Sequence, residues 1–117
     1  MAYLRHWFNG HTISVFQLGD SAVIGRHPEC AIQVNDATVS ANHARIYRGS
    51  EGYEVEDLGS TNGISVNGEK VLRSSLADGG TFILGTQEFE FLQELPSDLD
   101  KTVKIKKSWI PGIYFTR

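Results

Sequence analysis

With 117 residues, the chain is long enough for one domain with a hydrophobic core and too short for two ordinary domains. Its 40% hydrophobic and 21% charged residues are usual for a globular protein, which excludes a wholly disordered chain and a fibrous repeat. The single cysteine, Cys30, cannot form an internal disulfide, and no apolar run approaches the roughly 20 residues of a membrane span, so we expect a cytoplasmic protein.

Charge is distributed unevenly along the chain. Residues 1–100 carry 6 basic and 14 acidic side chains, a net charge of −8, whereas residues 101–117 carry 5 basic and no acidic side chains, a net charge of +5. An acidic body argues against nucleic acid as a partner, because duplex binding needs a broad basic face that neutralises phosphates. The basic tail is a separate electrostatic unit.

The chain begins with short strands separated by turn residues. Residues 3–8 and 12–18 flank Asn9-Gly10, which readily takes the positive φ angles of a two-residue type I′ turn, and this pattern predicts a β-hairpin. Residues 21–24 form a further apolar strand, and Arg26 lies at its exit.

The same pattern of short strands and turns continues to residue 92. A second hairpin is predicted for residues 43–47 and 53–57, which flank a Gly-Ser-Glu-Gly turn. The other predicted strands are short: residues 31–34, 64–66, 70–72, 81–84 and 88–92. About eleven short strands and no helix predict an all-β sandwich or barrel.

Three polar segments fall in loops between these strands: Gly25-Arg26, residues 40–43 and residues 59–63. Each combines Gly or Asn with a guanidinium, hydroxyl or amide group suited to an oxyanion. Taken alone, each has an ordinary interpretation as a solvated arginine or a turn residue. Together they form a candidate site for an oxyanion such as a phosphate group.

Catalytic and metal sites are not indicated. His43 follows Ser40 by three residues at the start of a strand, with no acidic group to orient it, so a nucleophile and base pair is not expected. The other histidines are scattered without metal-ligand spacing: His6, His11 and His27. We therefore predict a protein that is not an enzyme and holds no metal or cofactor.

The ordered segments Ile24-Gly25-Arg26, Val39-Ser40-Ala41-Asn42-His43, Asp57-Leu58-Gly59-Ser60-Thr61-Asn62-Gly63 and Val66-Asn67-Gly68 closely resemble a forkhead-associated (FHA) domain. The resemblance runs from about residue 21 to residue 92, with Gly80 where the family usually has Asp. It implies an FHA-like β-sandwich of about eleven strands in two sheets, which binds phosphothreonine peptides through the loops at one end.

The resemblance also implies a role for each matching position. Phosphate-binding residues would be Arg26, Ser40 and Thr61, of which Thr61 would also help to line the pocket for the threonine methyl group. Asn62 would hydrogen-bond the main chain of the peptide. Structural support would come from three loop-shaping residues: Gly25, His43 and Gly63. Ala41 stands where the family often has a polar residue, so one phosphate contact is missing. Arg45 is a secondary candidate for the rim of the site.

The resemblance divides the chain into a phosphopeptide-binding domain, residues 1–95, and a linker with a basic and aromatic tail, residues 96–117. As partners we expect a phosphothreonine-containing protein and a serine/threonine kinase pathway, in a bacterial signalling setting. Thr102 follows acidic residues in the linker, and Ile105 stands three residues after it, where family ligands are often discriminated. We therefore predict Thr102 as a candidate phosphosite that binds the same domain, with head-to-tail self-association.

Two other interpretations of the tail stay open. Its lysines, with Trp109, Tyr114 and Phe115, are also typical of a segment that anchors an adaptor to an anionic membrane surface or to a partner protein, although a membrane role is the less favoured. Alternatively, the apolar tail residues pack on the sandwich itself.

Overall fold

The computed structural model describes residues 2–95, 104–108 and 114–116, and in them the regular structure is entirely β. Eleven strands lie between residues 2 and 92, ten of them at the predicted segments: β1 (Ala2–Phe8), β2 (His11–Leu18), β3 (Ser21–Gly25), β4 (Ile32–Gln33), β5 (Ala44–Gly49), β6 (Gly52–Asp57), β7 (Ile64–Val66), β8 (Glu69–Val71), β9 (Arg73–Ser75), β10 (Thr81–Leu84) and β11 (Gln87–Leu92). Two more lie in the tail: β12 (Lys104–Lys107) and β13 (Tyr114–Thr116).

The strands form two sheets that pack face to face. One has eight strands in the order β13-β12-β2-β1-β11-β10-β7-β8, and the other has five in the order β4-β3-β5-β6-β9. Alternate residues of the strands meet between the sheets and form the main core; the largest fully buried apolar side chains there are Phe82, Phe89, Leu4, Ile24, Ile32, Ile46, Ile64 and Leu84. The predicted β-sandwich is therefore confirmed.

The predicted Asn-Gly turns have the backbone that their sequence requires. Asn9 and Gly10 have φ of 51° and 77°, and Asn67 and Gly68 have φ of 52° and 82°. Both residues of a type I′ turn need positive φ, which Asn and Gly adopt at the least cost. Strand β9 was not predicted, because Arg73-Ser74-Ser75 has no apolar alternation; it lies at the edge of its sheet, where polar side chains are accommodated.

One end of the sandwich carries the three polar segments and is called here the loop end. It comprises the loops after β3, β4 and β6 and the turn at residues 85–86, whose Thr86 amide donates to the Thr38 hydroxyl oxygen at 3.0 Å. Strand β11 begins after that turn, and its Glu88 pairs with Trp7 near the end of β1. The end of β1 and the start of β2 therefore also lie at the loop end.

The tail strand β12 extends the eight-stranded sheet. It pairs in parallel with β2, with Ile105 opposite Val15, and the Ser108 amide donates to the Gln17 carbonyl at 3.0 Å. Ile105 is 2% exposed and packs with Tyr3 and Val15 in a second apolar cluster. Of the interpretations that the sequence left open for the tail, the structure therefore shows packing on the sandwich for Ile105.

Other parts of the tail lie outside the described residues. These include the predicted linker at residues 96–100, the candidate phosphosite Thr102 and Trp109. The proposed division into residues 1–95 and 96–117 stays a prediction.

Replacing Ile105 by Ala tests the packing of the tail. We expect a loss of about 2 kcal/mol in the free energy of unfolding, measured by urea denaturation, because a buried side chain is truncated and a cavity remains. Ile83→Ala is the matched control: Ile83 is 39% exposed, and its truncation should change stability by no more than about 0.5 kcal/mol. Equal losses for the two variants would mean that β12 does not pack on β2 in solution.

Candidate functional site

Strand β3 ends in a close backbone contact at the loop end. Gly25 is buried, and a Cβ at this position would lie 2.1 Å from the Ala41 carbonyl oxygen, so a larger residue cannot be placed without moving the backbone. The amides of Arg26 and His27 donate to the carbonyls of Ser40 and Ala41 at 3.0 and 3.1 Å. The exit of β3 is thus fixed against the segment before β5.

The Arg26 side chain is exposed at this exit, and no carboxylate of the residues that the structure describes forms an ion pair with its guanidinium. Its charge and its donors therefore face solvent, where an anionic ligand could reach them.

His43 joins two of the loops. Its ring is 0% exposed, and its Nδ1 accepts a hydrogen bond from the Ser40 amide at 3.0 Å. Since Nδ1 is an acceptor, the ring proton of a neutral imidazole lies on Nε2, which donates to the Gly63 carbonyl at 2.8 Å. Both ring nitrogens bind main-chain groups, so the ring holds the loops together and offers no base to the Ser40 hydroxyl.

The loop between β6 and β7 is organised by an acidic side chain. The Asp57 carboxylate accepts hydrogen bonds from the amides of Gly59 and Ser60 at 3.0 and 3.1 Å and from the Ser60 hydroxyl. The Ser60 oxygen in turn accepts from the Gly63 amide at 2.8 Å. Asp57 and Ser60 were assigned no role from the sequence, although an Asp two residues before Gly-Ser is typical of turns in which the side chain binds the backbone.

The remaining predicted residues meet on the exposed surface of these loops. The Thr61 amide donates to the Ser40 hydroxyl oxygen at 3.1 Å, which leaves the hydroxyl proton of Ser40 available to an acceptor outside. The Asn62 side-chain amide donates from Nδ2 to the Thr38 carbonyl at 2.8 Å. Arg26 is linked to the same group through its main-chain bond to Ser40.

Neither Arg45, the secondary candidate, nor Cys30, the single cysteine, belongs to this surface. Arg45 pairs with Glu56 at 2.8 Å and lies over the Tyr47 ring, with 4.4 Å from its guanidinium carbon to the ring centroid, on the outer face of the five-stranded sheet. The Cys30 thiol donates to the Ala41 carbonyl at 3.2 Å, and burial raises its pKa, so it remains protonated and structural.

The surface has the donors that an anion needs. Arg26 supplies a positive charge that has no carboxylate partner among the described residues, Ser40 supplies a hydroxyl, and the side chains of Thr61 and Asn62 remain exposed. Within residues 2–95 and the two described tail segments, no group of three or more His, Cys, Asp or Glu side chains could hold a metal ion. The same residues contain no helix long and apolar enough to cross a membrane.

His43→Ala should lower the free energy of unfolding by roughly 3 kcal/mol or more, because the Ser40 amide and the Gly63 carbonyl lose their partner inside a buried cavity. Thermal and urea unfolding measure this loss. His27→Ala, at an exposed histidine of the neighbouring loop, is the control and should stay within about 0.5 kcal/mol of the unmodified chain. A His43→Ala chain as stable as the control would show that this ring does not hold the loops.

Known proteins resemble this chain in sequence and in fold. The FHA domain model matches residues 22–85. The oxoglutarate dehydrogenase inhibitor of Corynebacterium jeikeium is 40% identical over 73 residues, which cover 62% of this chain and 51% of that protein. The chain thus spans about half the length of the curated relatives it matches.

Two solved structures have the same architecture. The FHA domain of the CT664 protein from Chlamydia trachomatis superposes with a TM-score of 0.72 at 28% identity, over 80% of this chain and 98% of that one. An FHA domain from a study of phosphothreonine-dependent interactions superposes with a TM-score of 0.67 at 29% identity, over 81% and 98% of the two chains. Because the family model matches more than half of the chain, this protein belongs to the FHA domain family.

Proposed function

We propose that the chain is a non-enzymatic module that binds a phosphothreonine peptide and so recruits a phosphorylated partner protein. The observation that carries this proposal is the exposed Arg26 side chain, without a carboxylate partner among the described residues, on a residue whose amide binds the Ser40 carbonyl in loops held by His43. A related FHA domain structure comes from work on phosphothreonine-dependent interactions, which supports the same ligand class.

Each group at the loop end has a task in this binding mode. Arg26 donates charge-assisted hydrogen bonds to the phosphate oxygens, and Ser40 donates its hydroxyl proton to the same group. Thr61 lies against Ser40 and would contact the phosphothreonine through its methyl and hydroxyl groups. Asn62 keeps its carboxamide oxygen for a main-chain N–H of the peptide. Because the loops are held before the ligand arrives, less ordering entropy opposes binding.

The regulatory setting is proposed by analogy. The relative from Corynebacterium jeikeium is named as an inhibitor of an enzyme, and inhibition by binding needs no catalytic groups on the inhibitor. We therefore propose that this chain acts in the bacterial cytoplasm, downstream of a serine/threonine kinase, by contact with a phosphorylated protein.

Arg26→Ala should weaken binding to the tightest peptide of a phosphothreonine library by about 2 to 5 kcal/mol, since the bound phosphate would lose its charged partner. This corresponds to a rise in Kd of at least roughly 30-fold, measurable by fluorescence anisotropy.

Arg48→Ala is the matched control for charge. Arg48 lies near the hairpin turn at the opposite end of β5 and pairs with Asp20, so its removal should leave the Kd unchanged within about twofold. The same peptide with phosphoserine or unmodified threonine should bind more weakly. Equal binding of all three peptides, or binding of none in the library, would contradict the proposed function.

A finer proposal concerns a ligand within the chain: phosphorylated Thr102 binds the loop end of this domain, in the same molecule or in a second copy. Strand β12 runs parallel to β2, which begins at the loop end, so the chain enters β12 at Lys104 from that end. Thr102 precedes Lys104 by two residues, which span at most about 7 Å. A phosphate on Thr102 would therefore lie near the start of β12.

The membrane alternative gains no observation from the structure. The Lys106 ammonium lies 5.2 Å from the centroid of the Phe16 ring, and burial lowers its pKa, so this lysine is directed at the sandwich. Trp109 lies outside the described residues.

Phosphorylation of Thr102 in the full chain should reduce its affinity for an external phosphothreonine peptide, since the internal phosphate competes for the same loops. Anisotropy measures the competition, and sedimentation velocity distinguishes a monomer that binds itself from a head-to-tail oligomer. Arg26→Ala should abolish either effect. A phosphorylated chain that keeps both its peptide affinity and its monomeric state would refute the internal ligand.

A further inference from the structure

The turn between β10 and β11 is fitted against the loop that precedes β5. Gly85 in this turn has φ of 64°, and a Cβ there would lie 2.3 Å from the Thr38 hydroxyl oxygen. The next residue, Thr86, donates its amide to that same oxygen at 3.0 Å. Residues 48 positions apart in the chain are therefore in direct contact at the loop end.

Asp36 fixes the hydroxyl groups of both threonines. Its carboxylate accepts from the Thr38 amide at 2.9 Å, from the Thr38 hydroxyl, and from the Thr86 hydroxyl at 3.4 Å. The hydrogen bonds from Thr38 lower the pKa of Asp36, so the carboxylate is charged at neutral pH and acts only as an acceptor. The Thr38 side chain is thus held from two directions.

Two buried side chains hold Thr86 from the core side. The Gln87 amide donates from Nε2 to the Thr86 hydroxyl oxygen at 3.1 Å, so its Oε1 is turned to His6 and accepts from Nε2 of that ring at 2.8 Å. Gln87 is 5% and His6 7% exposed, and the His6 ring stacks on Phe89 with 4.7 Å between centroids. Burial lowers the pKa of His6, which favours the neutral ring.

The hydrogen-bonded path ends at a residue proposed to bind peptide. Asn62 donates from Nδ2 to the Thr38 carbonyl at 2.8 Å, and no described residue donates to its Oδ1. The orientation of the Asn62 amide, with nitrogen inward and oxygen outward, is therefore set by where the Thr38 carbonyl lies. The position of this carbonyl depends in turn on the Thr38 side chain, whose hydroxyl binds the Asp36 carboxylate and lies at hydrogen-bond distance, 3.2 Å, from the Thr86 hydroxyl.

We propose that Thr38 and Thr86 are positioning residues for peptide binding: they hold the Thr38 carbonyl so that Asn62 presents its amide oxygen to a main-chain N–H of the ligand. The proposal rests on the proposed function, in which Asn62 binds the peptide. Neither threonine side chain needs to contact the phosphate for this role.

The test compares Thr86→Val, which removes the hydroxyl at nearly constant shape, with Thr86→Ser, which restores it. Thr86→Val should raise the Kd for the phosphothreonine peptide about threefold to tenfold, the range expected for one lost hydrogen bond, and Thr86→Ser should return it to within about twofold. Thr12→Val, at a threonine of strand β2, should leave the Kd unchanged. Thr86→Val should also lower the melting temperature slightly, because the buried Gln87 Nε2 loses its acceptor, and Thr86→Ser should restore it; the Kd is therefore measured well below the melting temperature of every chain.

A double-mutant cycle assigns the effect to Asn62. If Thr86 acts through Asn62, adding Thr86→Val to Asn62→Ala should cause no further loss of affinity. Full additivity of the two substitutions would overturn the proposal, as would an unchanged Kd for Thr86→Val.

NMR of the free protein separates this proposal from the proposed function. Thr86→Val should shift the side-chain amide signals of Asn62 and Gln87, while Thr12→Val should not. If the unmodified chain binds no phosphothreonine peptide, the proposed function fails, yet the amide signals still show whether the path to Asn62 exists. Unshifted Asn62 signals in Thr86→Val would overturn the path itself.

Discussion

The buried imidazole of His43 is the interaction on which the loop end depends. It accepts from the Ser40 amide and donates to the Gly63 carbonyl, so one ring joins the segment before β5 to the segment before β7. An unpaired buried main-chain group costs about 1 to 3 kcal/mol, which makes this arrangement strongly preferred over any that leaves both groups unbonded. Ser40 and Thr61 can meet because these loops are fixed in this way.

Around this ring, the surrounding sandwich supplies rigidity. Pairing of β3 with β5 brings the end of β3 to the start of β5. Because Gly25 has no side chain, the Ala41 carbonyl can approach its backbone. The result is a surface whose donors are placed before a ligand binds. Residues 1–100 have a net charge of −8, so their surface as a whole does not attract anions. Arg26 is a positive charge at one place on this surface, which fits a local anion site.

Much of this arrangement could be predicted from local sequence. The Asn-Gly turns and the apolar alternation indicated the hairpins, and the loop residues at their spacing indicated the family. Strand β9 was missed because Arg73-Ser74-Ser75 carries no alternating pattern, and pairing with β6 at a sheet edge is what makes it a strand. The contact of Thr38 with Thr86 and the parallel pairing of β12 with β2 join distant segments, and no local pattern encodes them.

Binding of phosphothreonine at the loop end, as proposed above, can be tested by an NMR titration of the full chain with the tightest phosphothreonine peptide. We expect the amide signals of Arg26, Ser40, Thr61 and Asn62 to shift together and saturate. Those of the hairpin turn at residues 49–52, at the other end of the sandwich, should not shift. Signals that stay unchanged at the loop end, or that shift only on the outer face of a sheet, would contradict this proposal.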